Sequence, residues 1–139
     1  MTDLLVVDTS AYHRLRHPEV VEAWDRALGL DRVAVTPPAK LEILYSVQSA
    51  EEYAGVSEEL NAFRQVPCGQ RAWTRALEVQ GSLAERHALY HRSVQIIDLL
   101  IAAAAELAGA TVWHYDSDYD RIAEVTGQPT EWVAPRGSL

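Results

Sequence analysis

The run Val94-Gln95-Ile96-Ile97-Asp98-Leu99-Leu100-Ile101-Ala102-Ala103-Ala104-Ala105 is the most apolar stretch of the chain, and it holds one carboxylate near its start. It falls short of the roughly 18 apolar residues that span a bilayer. Its hydrophobic surface therefore belongs in a protein core, and a helix over 94–107, stopped by Gly109, accommodates it. An unpaired ionised carboxylate is costly in such a setting unless it shifts its pKa or finds a cation. Asp98 either faces solvent through the phase of its helix or faces a polar site built by other segments. The second reading organises the rest of the chain.

Leu4-Leu5-Val6-Val7 is a short continuous run rich in branched residues, suited to a strand buried on both faces. It ends at Asp8-Thr9-Ser10, where Thr9 and Ser10 offer N-caps for a helix from about Ala11. Val33-Ala34-Val35 and residues 111–115 read as further strands, residues 131–134 as a last one, and Val66-Pro67 as a short strand or a turn. Between them fall helical segments. Residues 18–30 place Pro18 in a first turn, with Trp24 and Leu28 at helical spacing. The next helix takes Thr36 as its cap and Pro37-Pro38 in its first turn, and it carries Glu42 among apolar neighbours. Helices over 51–65, 70–87 (with Trp73 and Leu77 as core contacts) and 119–126 follow, and 87–92 reads as a loop. Helices alternating with short apolar strands predict an α/β domain, with a mostly parallel central sheet flanked by helices on both faces. A chain of 139 residues, 48% hydrophobic, suits a single domain over 1–139.

In such sheets, sites form outside the carboxyl ends of the strands. Asp8 and Asp116 both follow strands, and Asp118 is two residues further on. Helices that begin after strands start at the same edge, so Asp98 and Glu42 can point toward it. Two like charges about 5 Å apart repel by roughly 3 kcal/mol at an effective dielectric near 20. A divalent cation removes that penalty, and all-oxygen ligation suits Mg²⁺ or Mn²⁺ rather than Zn²⁺. A carboxylate-held cation of this kind suits phosphoryl chemistry. Ser10 could hydrogen-bond a ligand carboxylate or a metal-bound water, or simply cap a helix. Taken singly, Asp8 and Asp116 could also be caps, and Asp118 part of a solvated turn.

The net charge of −8 is awkward for a generic nucleic-acid binder, because phosphate contacts need Lys and Arg. It fits clustered carboxylates around a metal, a basic partner, or plain solubility. The single Cys68 excludes an internal disulfide and argues against a thiolate zinc site. Met1-Thr2-Asp3 lacks a positive leader region and the first apolar run stops at Asp8, so a cytoplasmic setting without membrane association is the expectation.

Four short motifs, in order, make the chain recognisable. They are Val6-Val7-Asp8-Thr9-Ser10-Ala11; Leu41-Glu42-Ile43; His91-Arg92-Ser93-Val94 leading into Ile97-Asp98-Leu99-Leu100; and His114-Tyr115-Asp116-Ser117-Asp118-Tyr119-Asp120. Over nearly its whole length the chain resembles PIN-domain ribonucleases, and more closely the VapC-type toxins of type II toxin–antitoxin systems. The resemblance implies a metal-dependent endoribonuclease cleaving RNA, with tRNA or rRNA loops as targets. Asp8, Glu42, Asp98 and Asp116 match its acidic quartet. Asp8, Asp98, Asp116 and Asp118 would hold one or two Mg²⁺ or Mn²⁺ ions, and Glu42 would orient the attacking water or act as base. Ser10 and Arg92 match positions that position substrate or water, Arg92 as an RNA phosphate contact. Tyr119 stands where Phe is common, a change expected to preserve packing. The implied partners are a VapB-like antitoxin, a second copy in a homodimer and a larger toxin–antitoxin hetero-oligomer, with an apolar face around Trp24, Leu44 and Tyr45 as candidate dimer surface.

Rival readings fit the residues less well. A receiver-like phosphoacceptor needs a Lys after a late strand, and none follows residues 111–115. A haloacid-dehalogenase-type phosphatase wants a second Asp where Ser10 stands. A non-catalytic PIN-fold binding module would be expected to lose members of the quartet, and all four are present.

Overall fold

The computed structural model describes residues 3–139; Met1 and Thr2, read above as lacking a leader pattern, lie outside them. Strands β1 (Leu5–Val7), β2 (Val33–Val35), β3 (Arg64–Gln65), β4 (Thr111–His114) and β5 (Thr130–Trp132) form one sheet in the order β3-β2-β1-β4-β5. Every neighbouring pair is parallel, with Leu5 opposite Val33 on one side and Thr111 on the other. Parallel neighbours need long crossovers, and helices supply them. These are α1 (Thr9–Tyr12) and α2 (Val21–Gly29), then α3 (Pro37–Tyr45) and α4 (Ala50–Ala62), then α5 (Gln70–Arg86) and α6 (Ile96–Leu107), and finally α7 (Asp118–Thr126).

The alternation of side chains along each strand divides the core in two. Val6, Ala34 and Val112 join one cluster with Ile43, Leu83, Ile101 and Ile122 from the helices on that face. Leu5, Val7, Val33 and Trp113 join another with Leu15, Val20, Trp24 and Ala27. On α6 every residue from Asp98 to Ala105 is buried. Full burial contributes about 1.5–3 kcal/mol for each of Leu99, Leu100 and Ile101 relative to exposure. That packing makes α6 a rigid support for the carboxylate in its first turn. Among the described residues no helix is long and apolar enough to cross a membrane.

Several boundaries differ from the sequence expectation. Arg64 and Gln65, expected as the end of a helix, form the edge strand β3 against Ala34 and Val35. Both side chains are exposed, so no apolar pattern announces the strand. Helix α2 begins only at Val21, with Pro18 in the turn before it, and buries Trp24 and Ala27 while Leu28 stays on the surface. The buried stripe of α5 is Ala72, Ala76, Val79 and Leu83, which leaves Trp73 52% and Leu77 68% exposed. The small alanines let α5 lie close against the alanine-rich α6; Trp73 and Leu77 in that seam would hold the helices apart. The expected loop at 87–92 contains a left-handed Leu89 and a 3-10 turn at Tyr90–Ser93. The apolar face expected from Trp24, Leu44 and Tyr45 does not exist as one surface. Trp24 and Leu44 belong to different core clusters, and Tyr45 alone is on the surface, 91% exposed.

Candidate functional site

Strand order reverses at β1: the chain leaves β1 for β2 on one side, while β4 lies on the other. The carboxyl ends of β1 and β4 therefore flank the crevice in which open parallel sheets bind ligands. Asp8 follows β1 directly, and Asp116 lies two residues beyond β4.

Asp8 is buried and is the N-cap of α1, the role for which Thr9, Ser10 and Asp8 itself were the candidates. Its Oδ1 accepts the Ala11 N–H at 2.9 Å. Ser10 Oγ lies 2.7 and 2.9 Å from its two oxygens and accepts the Tyr115 N–H at 2.8 Å. Thr9 Oγ1 donates to Glu42 Oε1, which fixes the half-buried Glu42 of α3 beside the start of α1. Thr36 is the N-cap of α3 by position, but its buried hydroxyl makes no capping bond.

Asp98 lies in the first turn of α6, where the positive end of the helix dipole favours a carboxylate. Its Oδ1 accepts the Tyr119 hydroxyl at 3.1 Å; its Oδ2 is buried without a hydrogen-bond partner. Asp116 Oδ1 accepts the Asp118 N–H at 2.9 Å, and the Asp116 N–H donates to His114 Nδ1 at 3.2 Å. Asp118 Oδ2 accepts the Gln95 N–H at 3.0 Å, and its Oδ1 pairs with Arg121 Nη1 at 3.0 Å. One carboxylate oxygen from each of Asp98, Asp116 and Asp118 lies within 4.8 Å of the others. Glu42, held by Thr9, is outside that trio, as is Asp8. Arg92 is exposed in the 3-10 turn, a few residues before the Gln95 N–H that meets Asp118.

Burial raises the proton affinity of Asp8, Asp98 and Asp116, and repulsion from neighbouring carboxylates adds to it at Asp98 and Asp116. Burial pushes Asp8 up to about 6, against the Ala11 and Ser10 hydrogen bonds that favour its charged form. Asp98 is held well above the usual carboxylate range by burial first, then by its acidic neighbours Asp118, Asp116 and Asp8. Asp116 is also raised, chiefly by burial. Burial pulls His114 down to about 4, so its imidazole is neutral at pH 7. With Nδ1 accepting from Asp116, its proton belongs on Nε2, which has no partner. His114 is thus a strand residue that supports the Asp116 backbone.

The trio fits a hard divalent cation. Its donors are all oxygen, they converge from α6, α7 and the loop between β4 and α7, and the buried Asp98 Oδ2 has no partner. A cation there would relieve both the repulsion and the unmet hydrogen-bonding capacity.

Four roles in the site were not read from the sequence. Thr9 orients Glu42, Tyr119 donates to Asp98, the Gln95 N–H holds Asp118, and Arg121 pairs with it. Thr9 and Arg121 had a signal, each lying next to or one helical turn from an acid. Tyr119 lies between Asp118 and Asp120, but neither its reach to Asp98 nor that of the Gln95 N–H to Asp118 had a signal, since both act across the meeting of α6 and α7.

Comparison with known proteins agrees with this layout. A family model described as "PIN domain" matches residues 5–125. The chain is 52% identical to ribonuclease VapC18 of Mycobacterium tuberculosis over 96% of this chain and 97% of that protein. It is 40% identical to ribonuclease VapC51 of the same organism over 96% of both. Among solved structures, a chain of the DNA-bound VapBC complex from Salmonella typhimurium superposes with a TM-score of 0.75, covering 96% of this chain and all of that one. At 17% identity that likeness bears on the fold alone.

Proposed function

The chain belongs to the PIN-domain family, and from that premise we propose that it is the toxin of a VapBC-type pair, a divalent-cation-dependent endoribonuclease that hydrolyses RNA phosphodiesters. The ribonuclease activity follows the VapC relatives it matches along nearly their whole length. The observation that carries the cation dependence is the convergence of Asp98, Asp116 and Asp118, with an unpartnered buried oxygen on Asp98.

Asp98, Asp116 and Asp118 would hold Mg²⁺ or Mn²⁺, with Asp8 completing the acidic wall and Ser10 tying Asp8 to the end of β4. When bound, the cation neutralises the carboxylates and stabilises charge on the phosphate oxygens. Glu42, whose Oε1 accepts from Thr9, would orient the attacking water and take its proton. Water oxygen bonds to phosphorus as the bond to the 3′ oxygen breaks, and that oxygen takes a proton from solvent water. The products are 5′-phosphate and 3′-hydroxyl ends. Arg92, exposed on its turn, would contact an RNA phosphate. Unstacked bases of tRNA or rRNA loops are the favoured target class. A VapB-like antitoxin, a second copy of the chain and a larger hetero-oligomer are the partners of this reading, in line with the VapBC complex of the same fold.

The test is incubation of the full chain, free of antitoxin, with total RNA and Mg²⁺ or Mn²⁺, followed by end mapping. Cleavage that requires the cation and is lost in Asp98→Asn supports the reading. Cleavage that ignores EDTA, or survives in both Asp8→Asn and Asp98→Asn, overturns it.

A further inference from the structure

Tyr119 is completely buried and is among the largest side chains that are. Its ring packs on His114, with centroids 4.9 Å apart, and its position in the first turn of α7 sends the hydroxyl into the acidic cluster. There it donates to Asp98 Oδ1 at 3.1 Å, and it interacts with Asp8 as well. Packing alone asks only for an aromatic ring at this place. A buried hydroxyl needs a hydrogen-bond partner, and here the partner is the acid that anchors the candidate cation site.

We propose that Tyr119 is a positioning residue for the cation: its hydroxyl occupies Asp98 Oδ1, fixes the carboxylate about its side-chain torsion, and leaves the unpartnered Oδ2 as the ligand oxygen. This inference rests on the reading of Asp98 as a cation ligand. It adds a role to the packing that the sequence led us to expect of Tyr119, which its full burial bears out. The two oxygens of Asp98 are unequal in this structure, one bonded and one not. Only the phenol among the hydrogen-bond donors of the described residues makes them so. Supports of this kind to a ligand carboxylate typically matter 10–100-fold in metal affinity.

The discriminating variant is Tyr119→Phe, which removes one oxygen and keeps the ring. Mn²⁺ binding to the full-length parent and variant is measured by calorimetry and by the Mn²⁺ dependence of the melting temperature, with circular dichroism as the check on fold. RNA cleavage is then titrated with Mn²⁺. The expected result is a half-saturating Mn²⁺ concentration raised about tenfold or more, in binding and in cleavage alike, with kcat at saturating Mn²⁺ within about threefold of the parent. Equal Mn²⁺ affinity in the two proteins overturns the role of Tyr119 and leaves the cation site standing. A loss of kcat that no Mn²⁺ concentration restores also overturns it, because a positioning role acts through cation occupancy. A parent protein that cleaves RNA without binding Mn²⁺ overturns the cation reading itself, and this inference with it.

Discussion

Ser10 Oγ accepts the backbone N–H of Tyr115 at 2.8 Å, joining two residues that are 105 positions apart. The same oxygen is hydrogen-bonded to Asp8, so one hydroxyl pins the end of β1, the end of β4 and the first acid of the cluster. Ser10→Ala leaves the Tyr115 N–H and the Asp8 carboxylate each short of a partner. Denaturant unfolding should show a loss of about 1–3 kcal/mol, together with reduced RNA cleavage at saturating Mn²⁺. Unchanged stability would mean that the clamp is not formed in solution.

Asp98→Asn should separate stability from function. Burial and its acidic neighbours keep Asp98 protonated in the fold, and unfolding releases that proton; the amide has none to release, so in EDTA at pH 8 the variant should be more stable than the parent by at least about 1–3 kcal/mol. RNA cleavage should fall by at least about 100-fold, beyond the usual range for groups that only support a ligand. A variant both less stable in EDTA and fully active would contradict both halves.

Stability of the cation-free protein should fall as pH rises. Asp8 titrates near 6 in the fold against 3.8 for a free carboxylate, and Asp98 is shifted in the same direction. Between these values the folded chain keeps protons that the unfolded chain has released, so the slope of stability with pH is negative. The advantage is complete below about pH 4 and, for Asp8, gone above about pH 6. Asp8 alone accounts for a change of about 3 kcal/mol. Thermal melts from pH 4 to 9 in EDTA should show this decline, and added Mn²⁺ should offset it at the alkaline end. A flat or rising profile in EDTA would refute the buried-acid account.

The phase of α5 can be tested by two truncations. Trp73→Ala should change stability by no more than about 0.5 kcal/mol, since surface substitutions away from special features do little. Leu83→Ala, on the buried stripe, should cost about 2–5 kcal/mol. Chemical denaturation of both distinguishes this phase from the alternative in which Trp73 enters the core.

The hydrophobic pattern carried the architecture far. The runs at 4–7, 33–35 and 111–115 are strands because continuous branched residues suit burial on both faces, and Asp8 and Asp116 follow the strands where those runs end. Where burial leaves no one-dimensional trace, legibility failed. The edge strand β3 exposes both its side chains and exists through main-chain pairing with β2. In α5, Trp73 and Leu77 carry more apolar surface than Ala72 and Ala76, yet the alanines face inward because close approach to α6 outweighs side-chain size.

The sequence by itself determined the chain's class, the parallel sheet and the identity of the acids at one edge, because hydrophobic period and strand ends are local properties. Only the tertiary structure decided how those acids divide. Asp98, Asp116 and Asp118 converge within 4.8 Å, Asp8 is capped and clamped through Ser10, and Glu42 is held by Thr9. The roles of Gln95 and Tyr119 are equally non-local, because each reaches an acid on another helix. The start of α6 and the start of α7 meet only when the sheet brings them to one end, and hydrogen bonds act over about 3 Å of space regardless of separation along the chain.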